Sequence, residues 1–496
     1  MDRQQTASPE TMSRRRFLRL CTAAAGTVAL GLLSGCSKPT PTPTPKPPAP
    51  SQPTQVAAPP TATPPPPTAT PAPKKPVTLV YWCYPYWTGI TGKEQGTQYT
   101  PYDYPNAKAK EFMALYPHVT VQVEPVDWTG GKEKVEVGIL SGTLPDVMRE
   151  DFAVIRKNAT RDVLEPIDDF ITAEDREDRL FLDVCMYKGK RYSWPIRANA
   201  GPFFVNRALF KERNALDLLP KNAERDWTWD EFLAAAKALT FDRDGDKKLD
   251  SYGFGMHFKD DPGGYHRTIF LWNFGARAFS EDGSQCVINS PEGVTGLQYL
   301  LDLQDRHNAL MPGGLALDRG GMRQAFMQGR AAMYSDNGDL AEKVAAAVKD
   351  GTVKAESMDL WPMRAPHLPG KQPLMYSDQS GWVVFRKKDA DKRAMAMEFC
   401  RFMTSKTNLR DEVAARVFPA RKSAADVYAG DPYMSYLQSL IQFSASKDTG
   451  HPYYFDYRHL ETFMFQAVLT HSKTPKAALD ELAAGVNKVL KDAGWQ

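Results

Sequence analysis

Val77-Thr78-Leu79-Val80-Tyr81-Trp82 is a run of β-branched and aromatic residues, and the chain after it alternates between two periods. Asn106 is placed to cap a helix running to Tyr116, where Pro117 stops it. Val119 to Val126 alternates valine with polar residues at the strand period. Lys132 to Leu140 reads as a second helix closed by Ser141-Gly142, and Asp146-Val147-Met148 begins a third strand. Strand, helix, strand, helix, strand predicts an α/β fold: a parallel sheet with helices on both faces.

Later helices carry clearer punctuation. Thr228-Trp229-Asp230-Glu231 has the spacing of a capping box, in which Thr228 and Glu231 satisfy each other's amides. Ser290-Pro291 is an N-cap followed by a first-turn proline. Asp391 to Met403 reads as a Met/Phe-rich helix buried on one side. Thr474-Pro475 starts the last helix, with Leu479, Leu482, Val486 and Leu490 on one stripe.

Upstream of Val77 the sequence changes character. Ser13-Arg14-Arg15-Arg16-Phe17-Leu18-Arg19 resembles a twin-arginine export signal, and Leu20 to Leu33 is short and rich in Ala and Gly. Leu32-Leu33-Ser34-Gly35-Cys36 resembles a bacterial lipobox. Residues 1–35 are therefore read as a signal peptide and Cys36 as the lipidation site. Residues 36–76 hold almost half of the chain's 39 prolines, mixed with Thr and Ala. Such a tract forms no core and favours polyproline II. At ~3.1 Å per residue it reaches on the order of 120 Å, a leash between membrane and domain. The expected location is extracytoplasmic, lipid-anchored to the cell membrane.

A net charge of +3, with 42% hydrophobic and 24% charged residues, fits a soluble globular domain and asks for no nucleic-acid partner. Cys83, Cys185, Cys286 and Cys400 are far apart with no CxxC pair, which leaves a zinc site unsupported and favours isolated buried thiols. No GxSxG, HExxH, P-loop or dinucleotide fingerprint occurs.

A family resemblance covers nearly all of residues 77–496. Ser141-Gly142-Thr143-Leu144-Pro145-Asp146-Val147, Leu164-Glu165-Pro166-Ile167-Asp168 and Gly189-Lys190-Arg191-Tyr192-Ser193-Trp194-Pro195 come first. Phe204-Val205-Asn206-Arg207-Ala208-Leu209-Phe210, Trp227-Thr228-Trp229-Asp230-Glu231-Phe232 and Ala325-Phe326-Met327-Gln328-Gly329-Arg330-Ala331-Ala332-Met333 follow. Ser380-Gly381-Trp382 and Pro419-Ala420-Arg421 close the series. In this order they resemble the extracellular solute-binding proteins of ABC importers, in the sugar-binding group that includes the maltose-binding protein. The resemblance implies a two-lobe, type II periplasmic-binding-protein architecture, with a hinge and a ligand cleft between the lobes. By analogy lobe one is 77–195 plus 378–418, and lobe two is 198–375 plus 419–496. It also implies a non-enzyme that captures a carbohydrate, with oligosaccharide the first choice. The protein is expected to act as a monomer and to hand its solute to the transmembrane permease subunits.

Sugars present C–H faces that suit aromatic rings and hydroxyl edges that suit Asp, Asn and Arg. Residues of those types at strand ends and in loops are Tyr84, Trp87, Trp128, Asp151, Arg197 and Asn199 in the first half, the last two placed just past a hinge crossing at Pro195. Trp272, Asp336, Asn337, Asp378, Trp382 and Arg421 complete the candidate set. No cofactor is required. Asp242, Asp244, Asp246 and Asp250 take loop positions 1, 3, 5 and 9 of an EF-hand-like calcium loop, with Lys248 offering its carbonyl. Lys247 stands where the turn glycine is usual and Gly253 where a bidentate Glu is expected. A structural Ca2+ and a plain acidic turn both remain open. Two rival functions also remain open: a secreted carbohydrate-active enzyme, for which no carboxylate pair is singled out, and a sugar sensor without transport.

Overall fold

The computed structural model describes residues 75–87, 100–128, 130–199, 201–259, 266–376, 379–411 and 416–495. Cys36, the signal sequence, nearly all of the proline tract and Asp378 lie outside them. The strands are β1 (Val77–Cys83), β2 (Val119–Pro125), β3 (Val147–Asp151), β4 (Met186–Tyr187), β5 (Lys190–Arg191) and β6 (Trp194–Ala198). They continue with β7 (Phe203–Asn206), β8 (Tyr252–Gly255), β9 (Ala331–Ser335), β10 (Leu360–Met363), β11 (Gln379–Val384) and β12 (Phe418–Pro419). One sheet has the order β12-β6-β11-β3-β1-β2, a second β10-β7-β9-β8, and β4-β5 is a hairpin. The two larger sheets, each flanked by helices, are the centres of the two lobes of a type II binding-protein fold.

β1 pairs in parallel with β2 and β3, as the alternation predicts. The sheet as a whole is mixed, because β11 runs antiparallel to β3 and β6, and β12 antiparallel to β6. The reason is topological. β11 and β12 return from the other lobe, not from a helical crossover on the same sheet, so nothing forces them parallel. β6 keeps the chain in the first sheet to Ala198 and β7 opens the second at Phe203, so the first crossing spans 199–202. That is later than Pro195, which pairs within the first sheet opposite Gly381.

Period-two alternation buries both faces of the first sheet. Leu79, Tyr81, Cys83, Val147, Ile196 and Trp382 point to one core. Trp82, Tyr84, Met148, Val383 and Phe385 point to the other. The helices Gly131–Ser141 and Ala390–Met403 lie close to the expected spans. The first stops at Gly142, whose φ of 72° is left-handed and suits a residue with no Cβ. The first helix differs. It runs Asp103–Leu115, with Thr100 Oγ1 donating to Asp103 Oδ1 at 2.9 Å, while the Asn106 side chain donates to the Tyr102 carbonyl at 2.8 Å inside it. Pro105 sits in the first turn, where a missing N–H costs nothing. The capping box at Thr228 and Glu231 forms, and Ser290 and Thr474 cap the helices Pro291–Asp305 and Pro475–Asp492.

Cys83, Cys185, Cys286 and Cys400 are buried free thiols. Among the described residues, no helix is long and apolar enough to cross a membrane.

Candidate functional site

Ligands of open α/β sheets sit beyond the strand carboxyl ends, and several chemistry-bearing residues converge there on the first sheet. Tyr84 and Tyr86 follow β1, and Trp128 follows β2. Arg149, Glu150 and Asp151 end β3, and Arg197 is next to last in β6. Tyr84 and Trp128 stack at 4.8 Å and 9° between planes. Tyr86 meets Trp128 edge-on at 4.5 Å. The Arg149 guanidinium lies 3.1 Å from the Tyr86 ring centroid and that of Arg197 lies 5.2 Å from it. Gly131 makes room for this cluster: a Cβ there would meet the Tyr84 ring at 2.3 Å.

Two features make the cluster chemically unusual. Trp128 is 47% exposed although Tyr84, Arg149 and Arg197 are buried, so part of a large aromatic surface faces solvent beside two guanidinium groups. Glu150 is buried, and its Oε1 accepts no hydrogen bond among the described residues. Burial first, then the charge of Asp151, pushes its carboxyl up to about 8, against the pull of Lys132 and Arg149. Burial and the nearby acids Glu150, Asp151 and Glu133 likewise hold the Tyr84 phenol far above its ordinary value. The cluster thus offers ring faces, guanidinium donors and a carboxyl held well above the usual carboxylate range.

The second lobe faces this edge with the helix Tyr454–Leu469 and the segment before it. Lys132 Nζ lies 3.6 Å from the Phe455 ring centroid. Lys157 pairs with Asp456 at 3.2 Å, and Arg156 donates to the Gly450 carbonyl at 3.0 Å. Behind that helix a closed polar network fixes it. Glu461 accepts from Thr268 at 2.7 Å and from Tyr457 at 2.9 Å, and Arg267 donates to Thr462 at 2.6 Å.

Of the residues singled out from sequence, Tyr84, Trp128, Asp151 and Arg197 fall in the cluster, and Asn199 is half-buried just past β6 at the crossing. Arg197 lies inside β6, opposite Ser380 and Pro419, and not beyond the hinge crossing. The others go elsewhere. Trp87 is buried in the first lobe, stacked on Tyr104 at 4.8 Å, with its indole N–H on the Tyr81 hydroxyl at 3.3 Å. Trp272 is buried in the second lobe against Tyr454. Trp382 is core: its ring lies 4.7 Å from Tyr81 and 5.7 Å from Phe399. Asp336 is fully buried and held by both ends of the Arg323 guanidinium, so it has a structural partner in place of a solute. Asn337 Oδ1 accepts from His266 Nε2, 3.1 Å away, just past the end of β9. Arg421 is spent on Asp178, Asp175 and the Thr404 carbonyl. Sequence reading missed Tyr86, Arg149, Glu150, Lys132 and Phe455.

The acidic loop also takes shape. Carboxylate oxygens of Asp242, Asp244 and Asp250 lie within 4.8 Å of one another. Asp242 accepts the amides of Gly245 and Lys247, each at 2.7 Å. Asp246 is outside this group: its carboxylate accepts the Lys248 amide at 2.8 Å and pairs with Lys248 Nζ at 3.3 Å.

The profile of the bacterial extracellular solute-binding proteins matches residues 96–409, most of both lobes. The chain belongs to that family. Binding proteins of Brucella abortus and Brucella suis are 25% identical to this solute-binding protein over 228 residues, 45% of its length and 52% of theirs. It thus spans about half the length of the curated relatives it matches. Among solved structures, the cyclic α-maltosyl-1,6-maltose binding protein of Arthrobacter globiformis is similar, with a TM-score of 0.66 and 20% identity. The match covers 84% of this chain and 100% of that one. A Thermotoga lettingae ABC-transporter solute-binding protein bound with α-D-tagatose has a TM-score of 0.65 at 20% identity, over 84% and 100% of the two chains. The maltose/maltodextrin-binding domain of Bdellovibrio bacteriovorus bound to maltotriose has 0.63 at 16% identity, with the same coverage. At these identities the solved structures establish the shared two-lobe fold.

Proposed function

We propose that this chain is the capture component of an ABC importer. It holds an oligosaccharide between its lobes, does no chemistry on it, and delivers it to the transmembrane permease subunits. The observation that carries the reading is the Tyr84–Trp128 stack with Tyr86, Arg149, Arg197 and Asp151 at the carboxyl edge of the first sheet. Aromatic faces beside planar guanidinium donors match the C–H faces and hydroxyl edges of a sugar chain. Structural relatives that bind maltotriose and a cyclic maltosyl-maltose support the substrate class. Closure of the second lobe over this edge would couple capture to permease docking. Lipid at Cys36 and the proline leash would keep the loaded monomer near its permease.

The test is a thermal-shift screen of the purified chain against maltotriose, longer glucans and monosaccharides, with product analysis. A one-to-one complex and a raised melting temperature without turnover are expected. Released sugar product would favour the enzyme, and a shift by a different solute class alone would overturn the substrate. Trp128→Ala should weaken sugar affinity about tenfold or more, about 1.4 kcal/mol or greater. Folding should change by less than about 1 kcal/mol, since Trp128 is half-exposed. Unchanged affinity on calorimetric titration would remove it from the site.

We also propose that the loop around Asp242, Asp244 and Asp250 takes a structural Ca2+, completed by backbone carbonyls such as that of Lys248. Calcium should then raise the melting temperature and Asp244→Asn should abolish the increment. An equal increment in the variant would reject the site.

A further inference from the structure

A cavity in the first lobe shares no residue with the aromatic cluster. It encloses about 410 Å³ between the end of the helix Asp103–Leu115, the helix Ala173–Asp178 and the end of the helix Ala390–Met403. Its lining combines two kinds of group. Leu115, Tyr116 and Phe402 supply apolar surface, and Arg179, Arg401, Arg421 and Lys406 supply cations.

The lining carboxylates are Glu174, Asp175 and Glu398, one fewer than the lining cations. Each is engaged. Lys406 holds Glu174 at 2.7 Å, and Glu398 accepts from Arg401 and from the Tyr116 hydroxyl, both at 3.0 Å. Asp175 is shared between Arg179 at 2.8 Å and Arg421 at 3.2 Å. Asp178, just outside the lining, gives its oxygens to Arg421 and Ser423, so four acids offset the four cations. Arg179 nonetheless has a nitrogen without an acceptor. Its side chain is 1% exposed and lies 4.9 Å from the Trp194 ring centroid, its Nε donates to Asp175, and Nη1 has no acceptor among the described residues. Burial, then the charge of Arg421, lowers the guanidinium to about 10, as expected of a cation with incomplete compensation.

We propose that this cavity binds a small organic monocarboxylate, its carboxylate taken by the cationic lining at Arg179 and its apolar body laid against Leu115, Tyr116 and Phe402. A single guanidinium nitrogen without an acceptor suits a monoanion better than a phosphate dianion, and the apolar lining asks for a hydrocarbon body. The ligand would bind independently of the interlobe solute.

The test is calorimetric titration of the purified chain with benzoate, with its neutral isostere benzamide, and with inorganic phosphate. Leu115 is 64% exposed on the rim, so Leu115→Glu puts a repelling charge at the mouth without disturbing the core. Saturable benzoate binding is expected. It should weaken about tenfold or more for benzamide, for phosphate and in Leu115→Glu, and stay within about twofold in Trp128→Ala. The proposal is overturned if benzoate does not saturate, if benzamide or phosphate binds equally well, or if Leu115→Glu leaves benzoate binding intact. Loss of benzoate binding in Trp128→Ala would also overturn it, by placing benzoate between the lobes.

Discussion

Trp382→Ala is expected to destabilise the protein by about 3–5 kcal/mol and to leave the sugar affinity of the folded fraction unchanged. Trp382 is fully buried in the middle of the first sheet, between β3 and β6, with Tyr81 and Phe399 against its ring. Truncation would remove one of the three tryptophans of that core and open a cavity that fixed strands on either side cannot close. Ser380, two residues earlier on the same face, is where the site begins: Arg149 donates to its hydroxyl at 2.6 Å. The Ser-Gly-Trp segment thus lies at the right edge of the sheet, with its aromatic one step below the cleft. Urea unfolding and sugar titration of the variant separate the two roles. A variant of native stability with weakened affinity would return Trp382 to the site.

The case shows which parts of the chain were legible. The alternation from Val77 to Met148 specified β1, β2 and β3 and their parallel order, because period and turn chemistry are local. The antiparallel return of β11 was not legible, since it depends on a chain crossing that follows the whole second lobe. Aromatic residues divided for the same reason. Tyr84 and Trp128 sit past strand ends and reach the edge, whereas Trp87, Trp272 and Trp382 are turned inward by register and tertiary packing that no local pattern encodes. Arg149 and Glu150 escaped notice because adjacent charges in a strand ordinarily mark a solvated face. Here both faces of β3 are covered, and each charge is buried. Phe455 comes from a helix brought to the cleft from the far end of the chain, without any sequence signal near Lys132. Asp336 and Arg421 had the chemistry of ligand groups, but Arg323 and Asp178 reach them first.

Glu150 supplies the other large effect. Its carboxyl is held up to about 8 in the folded chain, against 4.5 for the ordinary group. Between those values the folded protein keeps a proton that the unfolded chain has released. Raising the pH through this window therefore favours unfolding, by about 1.4 kcal/mol per pH unit, and on the order of 5 kcal/mol across it. The stabilising share is fully present below 4.5 and is gone once the pH passes about 8. Glutamine has nearly the shape of the protonated acid and cannot ionise. Glu150→Gln should thus match the parent protein near pH 4.5 and exceed it progressively up to pH 8. Asp151, Lys132, Arg149 and Tyr84 surround it in both proteins, so their contributions largely cancel in the difference. Urea unfolding at pH 5, 6.5 and 8 reads that difference directly. Parallel stability profiles would mean that Glu150 ionises normally, with water or a cation at Oε1. A widening gap would mean that the carboxyl beneath the Tyr84–Trp128 stack is a hydrogen-bond donor at neutral pH. It could then address an acceptor oxygen of the solute, while the guanidinium groups of Arg149 and Arg197 remain permanent donors beside it.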